Sequence, residues 1–132
     1  AIELGRDLKI EKMTGTVIIV KVVGRDEFEN RHGSLCRETG ENLNRVFPGK
    51  KDGTKYEKLA YAVVNELQKK ADYYIDLHSG DDYEKLTPYV YYAGKADPEV
   101  TKISRQMAEQ VDVPYMVKSE VASGGSYNYA AS

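Results

Sequence analysis

Apolar positions along this chain follow two different periods, and the two alternate. Thr16-Val17-Ile18-Ile19-Val20-Lys21-Val22-Val23 is a nearly continuous β-branched run, the pattern of a strand covered on both faces. From Tyr56 the spacing changes. Tyr56, Leu59, Ala60, Val63 and Leu67 recur at steps of three and four and predict a helix over 55–71. Thr54, with Glu57 three residues on, supplies a capping box at its start. Tyr73-Tyr74-Ile75-Asp76-Leu77-His78 predicts the next strand, broken by Gly80 and Asp81-Asp82. Tyr89-Val90-Tyr91-Tyr92 predicts a third strand, and Asp97 to Gln110 a second full helix with Pro98 tolerated in its first turn. Val113-Pro114-Tyr115-Met116-Val117 predicts a short fourth strand, whose Pro marks an edge or a strand start. Ile2, Leu4, Gly5 and Leu8 give residues 1–9 a small apolar helical face, and Ser123-Gly124-Gly125-Ser126 is a tight loop that opens a last helix.

Alternating strands and helices predict an α/β fold over residues 1–132, one domain with a mainly parallel or mixed sheet flanked by helices. In open sheets of this kind, ligands bind outside the carboxyl ends of the strands, and His78 stands at such an end. Residues 24–53 interrupt the alternation. They hold few periodic apolar positions but contain Gly24, Gly33, Gly40, Gly49 and Gly53, which predicts a long loop. Loops of that length in small domains are usually functional or disordered, and the motifs in this one favour function.

Composition narrows the classes. The chain has 132 residues, 41% hydrophobic and 30% charged, which suits one globular domain. A formal net charge of -2 removes the electrostatic case for nucleic acid or an anionic membrane surface as partner. The run Val17-Ile18-Ile19-Val20 is far too short to cross a bilayer. A single cysteine, Cys36, rules out an internal disulfide or a zinc site built mainly from cysteines. It fits a reducing compartment, so a cytoplasmic location is expected. Eleven tyrosines against two phenylalanines and no tryptophan suit half-buried strands and polar pockets.

Two short segments can carry chemistry. His78, followed by Ser79-Gly80, can turn its ring into a crevice at the strand end. A neutral imidazole there can hold a metal if its other nitrogen is fixed by a hydrogen bond, or it can simply be a hydrogen-bonding residue beside a turn. Asp76 lies two residues earlier on the same strand face, where it could orient that ring or pair with Arg45. His78 and Asp81 form a His-x-x-Asp pair, while His32 has no acid three residues beyond it. Asn44-Arg45 is the second segment. A planar guanidinium holds a carboxylate bidentately and the neighbouring amide can add a donor, although the same dipeptide can also be an ordinary turn. Arg31 and Arg37 are the other cations in the long loop.

Asn42-Leu43-Asn44-Arg45-Val46-Phe47-Pro48-Gly49, taken with Asp76-Leu77-His78-Ser79-Gly80-Asp81 and Leu86-Thr87-Pro88-Tyr89-Val90-Tyr91-Tyr92, resembles the succinylglutamate desuccinylase/aspartoacylase family, a branch of the zinc carboxypeptidase superfamily. The resemblance spans residues 1–132. It implies a zinc ion with His78 as one ligand, oriented by Asp76, and a substrate carboxylate held by Asn44 and Arg45. It also implies an arginine that polarises the scissile carbonyl and stabilises the developing oxyanion. Arg31, in Phe28-Glu29-Asn30-Arg31, looks like the family's position, and Arg37 matches the spacing of shorter members. Ser126 and Tyr127 are placed at the pocket by the position of their loop.

The family takes a His-x-x-Glu zinc pair from before a helix like residues 1–9, and a general-base glutamate from beyond a Gly-Gly loop like 124–132. This sequence holds neither, so it is expected to be the middle of a truncated zinc-carboxypeptidase-like domain, inactive alone. The resemblance implies a parent zinc hydrolase that cleaves an amide in an N-acyl amino acid, a small-molecule substrate with a free carboxylate. The alternatives are a metallocarboxypeptidase acting on peptides and a non-catalytic carboxylate-binding α/β module. Unpaired sheet edges are expected to cause self-association, or partial disorder in residues 24–53.

Overall fold

The structure is a computed structural model that describes residues 1–80, 84–122 and 124–132. The expected break at Asp81-Asp82, the His78–Asp81 pair and the Ser123 end of the glycine loop lie outside the described residues. In chain order the elements are α1 (Ile2–Asp7), a 3-10 turn (Ile10–Lys12), α2 (Arg25–Glu29) and a second 3-10 turn (Leu43–Arg45). They continue with α3 (Lys55–Glu66), a third 3-10 turn (Gln68–Lys70), β1 (Tyr89–Ala93), α4 (Pro98–Ala108), β2 (Tyr115–Ser119) and α5 (Ser126–Ala130).

Helix α3 forms as its spacing dictates. The Thr54 hydroxyl accepts from Glu57 N at 3.2 Å and the Glu57 carboxylate accepts from Thr54 N at 2.9 Å, so two otherwise unpaired amides are satisfied reciprocally. Its apolar stripe buries Ala60, Val63 and Val64 against Phe47, with Leu43, Val46, Leu59, Leu67 and Tyr129 packed around them. Phe47 therefore carries the Asn-Arg segment onto the helix. Gly49, at φ +78°, completes the join. A Cβ there would stand 2.1 Å from the Glu57 carbonyl oxygen, so only glycine permits this approach.

β1, α4 and β2 make one βαβ unit. The two strands are parallel, with Tyr89 opposite Tyr115 and Ala93 opposite Ser119. The Asp97 carboxylate caps α4 by accepting from Glu99 N at 2.8 Å, and Pro98 occupies the first turn, where a missing N–H costs nothing. The Ser104 hydroxyl accepts from Ala93 N at 3.1 Å and ties the helix to the strand end. Pro114 stands just before β2, so its lost donor falls outside the ladder, as a strand start requires. The molecule is thus α/β with a parallel sheet, and the predicted helices are present with ends trimmed by a few residues.

Two predicted strands are absent. Residues 16–23 and 73–78 form no ladder with any described residue, and the sheet has two strands among the described residues. A strand is completed by its partner's hydrogen bonds, and no described segment pairs with either run. Val17, Ile18, Tyr73, Ile75 and Leu77 are consequently exposed, at 50–72% of their full surface. His78 therefore follows an irregular segment rather than ending a strand.

Residues 24–53 are not structureless. They contain α2, an isolated bridge between Leu35 and Asn42, and the Leu43–Arg45 turn. Cys36, Tyr56 and Glu27 are buried beneath them, and burial, together with a hydrogen bond to Glu27, pushes the Tyr56 hydroxyl pKa up. The Lys55 ammonium meets Asp26 on α2 and pins this loop to the start of α3.

Candidate functional site

The Asn-Arg segment owes its shape to its own side chains. Asn42 Oδ1 accepts from Asn44 N at 2.8 Å and caps the 3-10 turn, so the turn is built locally by an amide two residues away. Asn44 then reaches a segment 82 residues on. Its Oδ1 accepts from Ser126 N at 2.7 Å. Phe47 N donates to Gly124 O at 3.3 Å and fixes the same glycine loop from the other side. Arg45 is exposed. One guanidinium N–H goes to the Asn44 carbonyl at 2.8 Å, and a guanidinium has five such donors, so most are left for a ligand.

The His78 segment reaches the same loop. The Tyr74 hydroxyl lies 2.6 Å from Ser126 Oγ. Tyr74 and Asp76 are half-buried while Tyr73, Ile75 and Leu77 point outward, so a two-residue alternation survives without a ladder. Burial pushes the Tyr74 pKa up, and the nearby Asp76 charge adds to it, so the phenol stays protonated at neutral pH. Asp76 Oδ2 is buried, makes no well-formed hydrogen bond, and stands 3.2 Å from His78 Nε2. Asp76 raises the His78 pKa by this contact and by its charge, while partial burial and the Arg45 charge lower it.

The structure thus joins Asn44 and Tyr74 at Ser126, with Arg45 next to the first and Asp76 and His78 shortly after the second. It does not bring the other two arginines there. Arg31, at φ +54°, lays its guanidinium 5.4 Å from the centre of the Phe28 ring. Arg37 is exposed, and its charge acts on Asp26 of α2. Tyr127 turns toward the sheet and stacks on Tyr91, with ring centres 6.2 Å apart and planes 9° from parallel.

A zinc ion needs three protein donors with one open position. With Nε2 turned to Asp76, His78 Nδ1 is the ring nitrogen left for a metal, and the buried carboxylate oxygen is the partner that orients a metal-bound imidazole. No three His, Cys, Asp or Glu side chains gather into a metal cluster among the described residues. Among the described residues, His78 with Asp76 behind it offers one donor of the kind a zinc site uses, and no complete donor set gathers around it.

Sequence reasoning singled out Asn44, Arg45, Asp76 and His78 as candidates but named neither Tyr74 nor Gln68, and it put Ser126 at the pocket without saying what it binds. The Gln68 side chain donates to Ser126 O at 3.2 Å and to Ser126 Oγ at 3.1 Å. Tyr74 could have been found, because it shares the parity of Asp76 and His78. Gln68 could not, since its role depends on where α3 ends relative to a loop 58 residues away.

No helix of the described residues is long and apolar enough to cross a membrane. No solved structure significantly matches the chain. Among curated proteins, the N-alpha-acetyl-L-2,4-diaminobutyric acid deacetylase of Halomonas elongata is 30% identical over 115 residues, which cover 87% of this chain. The chain spans about a third of that relative's length, 33%. A family model of the succinylglutamate desuccinylase/aspartoacylase catalytic domain matches residues 3–132. With the Asn-Arg turn tied through Ser126 to the chain that leads into His78, all inside that match, the chain belongs to the succinylglutamate desuccinylase/aspartoacylase catalytic-domain family.

Proposed function

We propose that this chain is the substrate-carboxylate half of a zinc-dependent amide hydrolase acting on an N-acyl amino acid. The observation that carries the reading is the meeting of Asn44 and Tyr74 at Ser126, which ties the Asn44-Arg45 turn to the chain that leads into Asp76 and His78. Arg45 offers its free guanidinium edge to the substrate carboxylate, and Asn44 adds its amide N–H donors. The substrate is thereby fixed at one end with its amide directed to the histidine side. Positioning of this kind lowers the barrier because the reacting bond is held in place before reaction. Asp76 holds the His78 ring. Zinc, when bound by His78 together with donors from outside these residues, supplies water of lowered pKa and a polarised carbonyl. Arg31 or Arg37 serves the developing oxyanion, which requires the 24–53 loop to carry one of them inward from its present place. With one donor of a metal site among the described residues, this chain by itself is expected to hold zinc weakly and to turn over no substrate.

The relative from Halomonas elongata, by its name, removes an acetyl group from an N-acetyl amino acid, which favours the deacylase reading over a peptidase. The test uses the full-length enzyme, N-acyl amino acids and zinc analysis. Replacing Arg45 with Ala should reduce kcat/KM roughly 10- to 100-fold, the equivalent of about 1.5–3 kcal/mol for a charge-assisted hydrogen bond, with zinc content intact. His78→Ala should lose zinc and activity together. Undiminished turnover in the presence of a chelator, or stoichiometric zinc in His78→Ala, would overturn the proposal.

A further inference from the structure

Ser126 makes more connections than any role assigned so far uses. It is 7% exposed and opens α5. Its backbone N–H goes to Asn44 Oδ1 at 2.7 Å. Its hydroxyl meets the Tyr74 hydroxyl at 2.6 Å and accepts from Gln68 Nε2 at 3.1 Å, while its carbonyl accepts from the same Gln68 amide at 3.2 Å. Three segments that are distant in sequence therefore meet at one residue: the Asn-Arg turn, the turn after α3, and the chain leading to His78. The approach is tight. A Cβ added at Gly125 would stand 3.2 Å from Asn44 Oδ1 and 2.5 Å from Asn128 Oδ1.

The contact with Asn44 has a chemical consequence. A carboxamide has one oxygen end and one nitrogen end. An N–H at 2.7 Å can be served only by the oxygen, so Ser126 settles which way the amide faces and leaves its two N–H donors turned away from the loop. Without that bond the amide could rotate by half a turn and present an oxygen, which repels a carboxylate. The hydroxyl bonds to Tyr74 and Gln68 in turn fix where the Ser126 N–H stands.

We propose that Ser126 is a positioning residue that orients Asn44 as a carboxylate donor and, through Tyr74, keeps that donor in register with His78. This rests on the reading of Asn44 and Arg45 as the substrate clamp. Ser126 touches no substrate, so its effect passes through Asn44. The hydroxyl is the part that can be removed while the N–H remains, and Tyr74 is the opposite end of the same bond.

The test compares Ser126→Ala, Tyr74→Phe and the double variant in the full-length enzyme. Each single change should raise KM for an N-acyl amino acid about tenfold at nearly constant kcat, the scale of one side-chain hydrogen bond, and the double variant should be no worse than either. A residue that only supports the fold would reduce the fraction of active enzyme, lowering kcat and leaving KM in place. An unchanged KM in both single variants overturns the proposal. If the parent hydrolyses neither N-acyl amino acids nor peptides, the functional reading fails separately, and the side-chain amide NMR signals of Asn44 decide the inference. They should shift or broaden in Ser126→Ala and in Tyr74→Phe, and unchanged signals in both would overturn it.

Discussion

The segment from Leu43 to Leu67 and the segment from Tyr73 to His78 are equally rich in pattern, yet only the first has a packed partner. In the first, a turn and a helix adjoin in sequence, and Phe47 drops onto Ala60, Val63 and Val64. The buried core of this region lies within about two dozen residues, with Tyr129 and the Gly124–Ser126 loop added from afar, so the local pattern produces most of the structure. In the second, the apolar positions Tyr73, Ile75 and Leu77 face outward, while Tyr74 and Asp76 turn in toward Ser126 and His78. Here polar contacts with remote residues set the orientation, and the hydrophobic alternation has nothing to bury against. Apolar burial organises one region and hydrogen bonding the other.

The largest effect should come from cutting each region at its centre. Phe47→Ala removes a side chain that is 8% exposed from a small core, and aromatic truncations of this kind cost about 3–5 kcal/mol. Ile75→Ser, at a position 72% exposed, should move stability by no more than about 0.5 kcal/mol. Denaturant midpoints of the two variants would show the contrast. Comparable losses would mean that Ile75 is covered in solution and that the two regions are built alike.

A smaller but sharp effect is expected where the turn meets the helix. Gly49→Ala introduces a Cβ 2.1 Å from the Glu57 carbonyl oxygen and 2.4 Å from Tyr61 N at a positive φ, so the turn must move off α3. The cost should be about 1–3 kcal/mol, and the carboxylate clamp should weaken with it because Asn44 and Arg45 ride on the same turn. The same substitution at Gly40, also at positive φ but with nothing within 4 Å of its Cβ, should cost less, since only backbone strain is added. Equal losses at the two glycines would show that contact with α3 contributes nothing.

These differences also explain how far the sequence could be read. Helices α3 and α4 were legible because each carries its own cap, Thr54 with Glu57 and Asp97 with Pro98, and its own periodic face. β1 and β2 were legible because a helix of matching length connects them and pairs them in parallel. The run at 16–23 has stronger strand chemistry than either, and still forms none, because pairing is a property of two segments and one sequence pattern specifies only one of them. At the site, Asn44, Arg45, Asp76 and His78 were visible as residue types with an evident chemical use. Gln68 and the part played by Ser126 were not, because a hydrogen bond across 58 residues leaves no local signature.

The mildest test concerns acid. Glu57 serves α3 three times: it caps Thr54 N, pairs with Lys50 Nζ at 2.7 Å, and stands in the first turn where negative charge is favoured. The Lys50 ammonium, then the Thr54 amide, hold its pKa below the ordinary 4.5. A depressed folded-state pKa means that the stabilisation is complete above the unfolded value and is lost as pH falls through the folded one. Stability should therefore be unaffected by this group at neutral pH and should begin to drop as acid carries the solution below 4.5. Glu57→Gln keeps an acceptor for Thr54 N but has no charge to lose. The gap between the parent and Glu57→Gln in denaturant midpoint should then be widest near neutrality and close on acidification. Asp7, Asp26 and Glu66 are depressed in the same direction by Arg6, Lys55 and Lys70, so the absolute acid slope belongs to all of these groups together and only the difference between the two proteins isolates Glu57. Two profiles that stay parallel into acid would mean that the α3 cap holds equally well with a neutral side chain, and that the locally built region owes its stability to Phe47 and its neighbours alone.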